Sequence, residues 1–438
     1  MGRCFEVFAR SVTLCAVLDV ALVADGRLTE RLAIGSLTRL LSRDLVDEVL
    51  VETRRMERRS RLLPARVVVY YVLALCLFFG ESYEEVMRQL VGGLRFLNGW
   101  ADDWKVPTSG AISQARARLG EAPLRRLFER VAVPLARRGT IGGWYHDWRV
   151  MAIDGVVLDV PDTPENSAAF GRTRKTSSST TFPQVRMVGL AECGTHAVVG
   201  AQIGSRSASE RALAPGLLPD VEPDMIVLAD RGFYSFDLWR NFAETGADLL
   251  WRVTSSLTLP VLEALPDGSY RSNLLGRDAR REVNRRRRHV DPSFPEPDDG
   301  TPVRVVEYMI ENRGPSSETF CLITTILDHE LAPAHELAEL YHQRWEIEIT
   351  LDEIETHQIG SPCLLRSRTP ELVRQEVWAL LLTHYAIRSL MQEAADAVAL
   401  DPDRLSFLRT LRLIRRQVTD QAGFSPSPTG QINSSGDL

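Results

Sequence analysis

The sequence predicts an α/β protein with an all-helical segment in front of it. Three observations carry that reading. Apolar residues recur at helical spacing from about residue 30 to 140. Around Trp148 the pattern changes to short β runs that alternate with helices. Residues 255–318 then interrupt the alternation with turns and short strands. The 438 residues allow two to four domains. With 44% apolar and 25% charged residues, the composition is that of a globular protein, which excludes global disorder, collagen and a disulfide mini-protein.

Residues 1–26 are poorly patterned and are expected to be a leader. Their apolar stretch is broken by Asp19 and no small-x-small cleavage site follows, so no secretory signal is expected. Leu32, Ile34, Leu37, Leu40 and Leu41 then fall at helical spacing, and Leu45, Val46, Val49 and Leu50 continue it beyond a break at Ser42. Arg54, Arg55, Arg58, Arg59 and Arg61 form a basic island. Pro64 opens a helix over 65–79, whose 13-residue apolar run from Val67 to Phe79 suits a buried helix and is too short to span a membrane. A helix over 82–94 follows. Pro107-Thr108-Ser109 is an N-cap signal for a helix that runs to Leu119 and ends at Gly120. With Gln114, Arg116 and Arg118 that helix resembles a DNA-facing element; the alternative is a solvated face of a helical bundle.

From Arg149 a β run ends in the carboxylate Asp154, Asp154-Gly155 signals a turn, and Val156 to Val160 continues as strand. Residues 161–181 are Ser/Thr-rich and predicted to be loop. Val185–Leu190 and His196–Ile203 form an antiparallel pair, and a helix covers 208–218. Met225 to Asp230 is a buried, parallel-type strand that again ends in a carboxylate. A helix over 236–245 and a strand over 248–253 precede the β-rich insertion at about 255–318, which includes Arg277 to Arg288 with seven arginines. A strand over 319–326, a long helix over 332–356 and helices over 370–396 and 403–418 complete the pattern. The tail after 423 lacks periodicity and is expected to be disordered. The resulting division is leader 1–26, helical segment 27–140, α/β segment 141–422 and tail 423–438.

The net charge of -6 argues against a uniformly basic nucleic-acid binder. Yet Lys105 and Lys175 are the only lysines among 52 basic residues, so 50 (52 − 2) are arginines, many of them clustered. The guanidinium fork suits phosphate, although a GC-rich genome produces the same bias. The six cysteines are scattered without a C-x2-C pair, so reduced thiols are expected, and neither a disulfide framework nor a structural zinc site. A cytoplasmic location follows from these readings.

Three carboxylates stand out by context. Asp154 and Asp230 end β runs, and Glu348 lies on the long helix in Tyr341-His-Gln-Arg344-Trp-Glu-Ile-Glu348. At about 100° per residue, Tyr341, Arg344 and Glu348 share one stripe, Ile347, Leu351 and Ile354 form an adjacent apolar one, and Glu346 points elsewhere. Carboxylates at strand ends with another on a packed helix can hold hard divalent cations. A pair of such ions activates a nucleophile and stabilises the leaving oxygen of a phosphoryl displacement.

With these residues in place, the chain resembles the insertion-element-four family of bacterial DDE transposases over about residues 30–420. The likeness rests on Ile153-Asp154-Gly155, Leu158 to Asn166, Ala169 to Arg172, Phe182 to Arg186, Ala191 to His196, Leu228-Ala-Asp230-Arg231-Gly-Phe233, and the Tyr-x2-Arg-x3-Glu signature at Tyr341, Arg344 and Glu348. The resemblance implies an RNase H-like catalytic core with the β-rich insertion between Asp230 and Glu348. It implies that Asp154, Asp230 and Glu348 ligate two magnesium ions, with manganese as an alternative. It implies water attack that frees a 3′-hydroxyl at the element end, followed by attack of that hydroxyl on target DNA. Tyr341, Arg344 and Arg231 would contact DNA, Trp345 would stack a base, and a homodimer would form on paired ends, associated with the nucleoid. The family signature continues with Lys after six further residues; Glu355 stands there instead. That departure leaves a rival reading, a decayed DNA-binding relative that occupies element ends and inhibits transposition.

Overall fold

The computed structural model describes residues 40–57, 63–94, 106–172, 182–291, 300–310 and 318–420. The readings for the leader, the tail, Leu32 to Leu37 and Arg58, Arg59 and Arg61 lie outside the described residues.

The helical segment comprises α1 (Arg43–Glu52), α2 (Ala65–Leu77), α3 (Tyr83–Leu94), α4 (Ser109–Leu119) and α5 (Ala122–Val131). Ser42, read as a break, caps α1 through its side chain. The predicted buried helix is α2: Val68 to Leu77 are all buried. A helix apolar all round has to be surrounded, and α2 packs against α1, α3, α4 and the long C-terminal helix α12 (Pro370–Ala397; α6 to α11 follow below).

Thr108 caps α4 as its sequence predicts, but the helix turns Arg116 inward. Arg116 is 1% exposed and donates from Nε to Gln375 Oε1 (3.0 Å), from Nη1 to the Tyr83 hydroxyl (2.9 Å) and from Nη2 to Ser367 Oγ (2.9 Å). The DNA-facing expectation for Arg116 is therefore corrected. It lies four residues after Ile112 and three before Leu119, which places it on the apolar face; Arg118 is the exposed arginine of this helix. The arginines that follow also serve the fold. Arg126 and Arg130 pair with Glu52 and Glu48, joining α5 to α1.

The α/β segment is built on one ten-stranded sheet in the order β4-β3-β2-β5-β6-β10-β9-β8-β7, with β1 (Trp144–Tyr145) paired to β2. Strand β2 (Trp148–Asp159) carries Asp154 in its interior, which corrects the expected turn after Asp154. Its antiparallel partner β3 (Gln184–Glu192) follows it to Asp159, and β4 (Ala197–Ser205) pairs with β3. On its other side the parallel strand β5 (Met225–Ala229) stops at the Ile153–Ala229 pair. Between β2 and β3 the expected loop contains α6 (Pro164–Phe170). The helix α7 (Glu210–Leu213) and a 3-10 turn (Ala214–Asp220) lead to β5, and α8 (Phe236–Ala243) to β6 (Asp248–Val253), parallel to β5.

The insertion holds the expected short strands and corrects one expectation. Its strands β7 (Glu263–Ala264), β8 (Tyr270–Leu274) and β9 (Thr301–Ile310) extend the main sheet through β10 (Glu318–Thr324), which runs antiparallel to β6. The arginine run is the helix α9 (Arg277–His289), not β structure. Asp278 in its first turn and Arg286 to His289 in its last suit the helix dipole, and Glu282 pairs with Arg285 and Arg286 at helical spacing. Finally, the long helix is broken. It becomes α10 (Ala334–His342), a turn at Gln343 and Arg344, α11 (Trp345–Asp352) and a π-helix (Glu353–Ile359) that ends at Gly360 with φ 88°. The helix α12 and α13 (Phe407–Asp420) close the fold.

Candidate active site

The register of β2 and β5 makes two acidic residues neighbours. Asp154 and Asp230 directly follow the last parallel pair, Ile153–Ala229: Asp154 lies within β2 where its pairing with β5 stops, and Asp230 just past the carboxyl end of β5. In α/β sheets that end, where pairing diverges, opens a crevice for ligands. Each carboxylate is fixed locally. Gly155 N–H donates to Asp154 Oδ1 and Gly232 N–H to Asp230 Oδ1, both at 2.7 Å. A side chain at 232 would bring its Cβ within 2.9 Å of that Asp230 oxygen, so glycine keeps the approach open.

The third carboxylate arrives from α11, which packs on β2 and β3. Arg344 Nη2 donates to Glu348 Oε1 (2.7 Å) and Nη1 to Asp154 Oδ2 (3.4 Å). One buried guanidinium therefore spans two carboxylates that are 194 residues apart in sequence (348 − 154). Burial pushes the Asp154 carboxyl up to about 6; Gly155 and Arg344 oppose the rise, and the Asp230 and Glu348 charges add to it. The site is short of positive charge even with Arg344 in it. An all-oxygen donor set on three elements, with too little cation among it, fits hard divalent ions.

The remaining signature residues divide. Trp345 is 55% exposed and lies under Arg344, whose guanidinium carbon is 5.0 Å from its ring centroid. Arg231 is exposed beside Asp230. Tyr341 is buried, and its hydroxyl donates to the Ala229 carbonyl at 3.4 Å. Burial pushes that hydroxyl far up. This placement seats α10 on the end of β5 and leaves the Tyr341 side chain almost no surface for the phosphate contact that the resemblance implied.

Two sequence models match the chain. The insertion element 4 transposase N-terminal model covers residues 31–129, and the transposase DDE domain covers residues 146–385. The chain belongs to the insertion-element-four family of DDE transposases. Transposase InsG for insertion sequence element IS4, from Escherichia coli (strain K12), is 29% identical to this transposase over 394 residues, covering 89% of this chain and 84% of InsG. The putative transposase InsZ of the same strain is 29% identical over 197 residues, 44% of this chain and 62% of InsZ. Among solved structures, a piggyBac transposase synaptic complex with hairpin DNA aligns over 92% of this chain and 82% of that chain, at 12% identity and TM-score 0.46. The sheet with the helices packed on it is the RNase H-like core of a DDE domain, preceded by the helical N-terminal segment, and the DDE domain implies use of a divalent metal. Among the described residues no helix of this transposase is long and apolar enough to cross a membrane.

Sequence reasoning missed a second polar cluster on the far side of α11. His196 Nε2 lies 2.9 Å from Glu346 Oε2 and 3.2 Å from Asp403 Oδ1. Behind it, Glu353 accepts from Arg388 Nε (2.9 Å) and contacts His384 Nε2 (3.0 Å). Helical spacing had turned Glu346 away from the signature stripe, but its partner is 150 residues distant, and no local pattern joins them.

Proposed function

We propose that this transposase binds the ends of its insertion sequence and carries out metal-dependent strand cleavage and transfer, with Asp154, Asp230 and Glu348 as the metal ligands. The observation that carries this reading is the nearness of three carboxylates: Arg344 bridges Asp154 of β2 and Glu348 of α11, and the charge of Asp230, at the end of β5, acts on Asp154. Two divalent ions, magnesium or manganese, would supply nucleophile activation and leaving-oxygen stabilisation when bound. The protein's own groups prepare that site. Gly155 and Gly232 N–H groups orient one oxygen of each aspartate. Arg344 keeps Asp154 and Glu348 together while the charge deficit persists.

In the cleavage step water forms a bond to the phosphorus at the element end, and the 3′-oxygen departs with a proton. In transfer, that 3′-hydroxyl forms a bond to a target phosphorus, and a target 3′-oxygen leaves. Phosphate contacts would come from Arg231, Arg118 and the exposed arginines of α9, and a base would stack on Trp345, since every base offers a π-face. The helical segment, 27–140 in the reading above, would contribute to end binding, and two copies would pair the ends. The test is cleavage of a duplex carrying the native element ends, with and without magnesium, by the wild type and by Asp154→Asn, Asp230→Asn and Glu348→Gln. Loss of cleavage by at least about 1,000-fold, with end binding retained, is expected, because ligands hold metal while affinity comes from phosphate contacts. Cleavage that survives any of the three changes would refute the assignment.

A further inference from the structure

We infer that His196, Glu346 and Asp403 form a second divalent-metal site of zinc type, separate from the catalytic carboxylates, that ties α11 to the rest of the core. The three ligand atoms, His196 Nε2 and one oxygen from each carboxylate, lie within 4.8 Å of one another. Tetrahedral zinc with bonds of about 2.0–2.2 Å needs ligands roughly 3.3–3.6 Å apart. The Nε2–oxygen separations of 2.9 and 3.2 Å require an outward shift of only a few tenths of an ångström. One imidazole nitrogen with two carboxylates is a donor set that zinc accepts with a fourth position for water. The nitrogen ligand, together with the ordinary affinity order, favours zinc over magnesium there.

Charge supports an ion at this place. Among the groups in direct contact, three carboxylates (Glu346, Glu353, Asp403) face a single guanidinium, Arg388, in a cluster whose centre, His196, is 3% exposed. With His196 neutral the cluster lacks two positive charges, which one divalent ion supplies; burial and Arg388 lower the affinity of this imidazole for a proton, but Glu346 and Glu353 outweigh them and raise it, so a proton competes with the ion for Nε2. Burying such a deficit unpaired is costly. His196 Nδ1 accepts from Arg388 Nη2, and Glu353 Oε1 lies 3.7 Å away. Binding exchanges the proton on Nε2 for the ion, and the ring's proton moves to Nδ1. Arg388, which can only donate, then has to withdraw from Nδ1 so that Glu353 can close in as acceptor, the carboxylate–histidine–metal arrangement that fixes a ligating ring. The expectation of no structural zinc considered cysteine spacing alone, and this site uses none.

The position gives the ion a purpose. His196 is the last residue of the turn between β3 and β4, Asp403 lies in the 3-10 turn Pro402–Arg404 before α13, and Glu346 is on α11 two residues before Glu348. An ion there holds the helix that carries Glu348 from behind. The test loads metal-stripped protein with Zn2+ alone in competition with a chromophoric chelator, and follows thermal unfolding in parallel. Wild type and Asp154→Asn should each bind one tight zinc and melt at higher temperature with it. Asp403→Asn and Glu346→Gln should bind at least about tenfold more weakly and lose most of the zinc-induced rise in melting temperature. Asp403 has a third of its side chain exposed, so its amide variant should fold; if it does not, Glu346→Gln decides. Zinc binding that disappears in Asp154→Asn, or that neither Asp403→Asn nor Glu346→Gln weakens, would overturn the inference.

Discussion

Replacing Arg116 with alanine tests whether this arginine serves the fold or DNA. The side chain is 1% exposed, and its guanidinium joins Gln375, Tyr83 and Ser367, so it links α4 to α12 and to α3. Hydrogen bonds from a charged donor contribute about 1.5–3 kcal/mol each. Alanine would remove all of them and leave Gln375 Oε1, which is buried, without that donor. Relaxation and water entry recover part of the loss, so a destabilisation of about 3–5 kcal/mol is expected, a large share of the roughly 5–15 kcal/mol that holds a domain together. Arg118→Ala, two residues on and exposed, should change stability by less than about 0.5 kcal/mol. The two variants should exchange places in DNA binding: Arg118→Ala lowers the slope of log affinity against log salt by about 0.9, and folded Arg116→Ala leaves it unchanged. Urea unfolding followed by circular dichroism measures the first effect and a salt titration of end binding the second. If Arg116→Ala loses less than about 1 kcal/mol and also loses a unit of salt slope, the buried-staple reading is wrong.

Three further outcomes are expected. Arg304 is fully buried and donates to Asp267 (2.6 Å), Ser269 (2.8 Å) and the Ala332 carbonyl (2.6 Å), joining β9 to the approach to α10. Burial pushes the Asp267 carboxyl up, but Ser269, the Ala334 N–H and Arg304 outweigh it and hold it down at about 2. Its folded pKa lies below the unfolded value near 3.9, so its stabilisation, about 2 kcal/mol, is fully present above about pH 4 and lost as pH falls towards 2; Asp267→Asn should flatten that acid limb in urea midpoints measured against pH. Glu355, where the resemblance implies Lys, lies in the π-helix and not in the continuous helix expected over 332–356; burial and Asp352 raise its carboxyl. Glu355→Lys should increase end cleavage about tenfold, the equivalent of ~1.4 kcal/mol in the barrier, and an unchanged rate would place position 355 away from DNA. End binding by the wild type should weaken steeply with salt despite the acidic composition, and a flat salt profile would count against the exposed arginines of α9 as phosphate contacts.

What the sequence determined by itself is what short-range pattern encodes. The apolar run Val67 to Leu77 specifies a helix that must be surrounded, Thr108 and Ser235 cap the helices that follow them, and Met225 to Ala229 is apolar enough to be a central parallel strand. The motifs around Asp154, Asp230 and Glu348 were legible because each is local, and so was the family they resemble. Tertiary structure decided which side chains meet and which way they face. Arg116 and Tyr341 look like surface groups in a motif, yet packing against α12 and β5 turns both inward. The helix α11 seats on β2 and β3, while the π-helix after Asp352 packs against α12, α13 and α2, and a uniform 100° rotation represents neither the break at Gln343 nor that π-helix. The pairing of His196 with Glu346 and Asp403 joins residues 150 and 207 apart (346 − 196; 403 − 196), and at that range only the folded sheet and its helices set the distance.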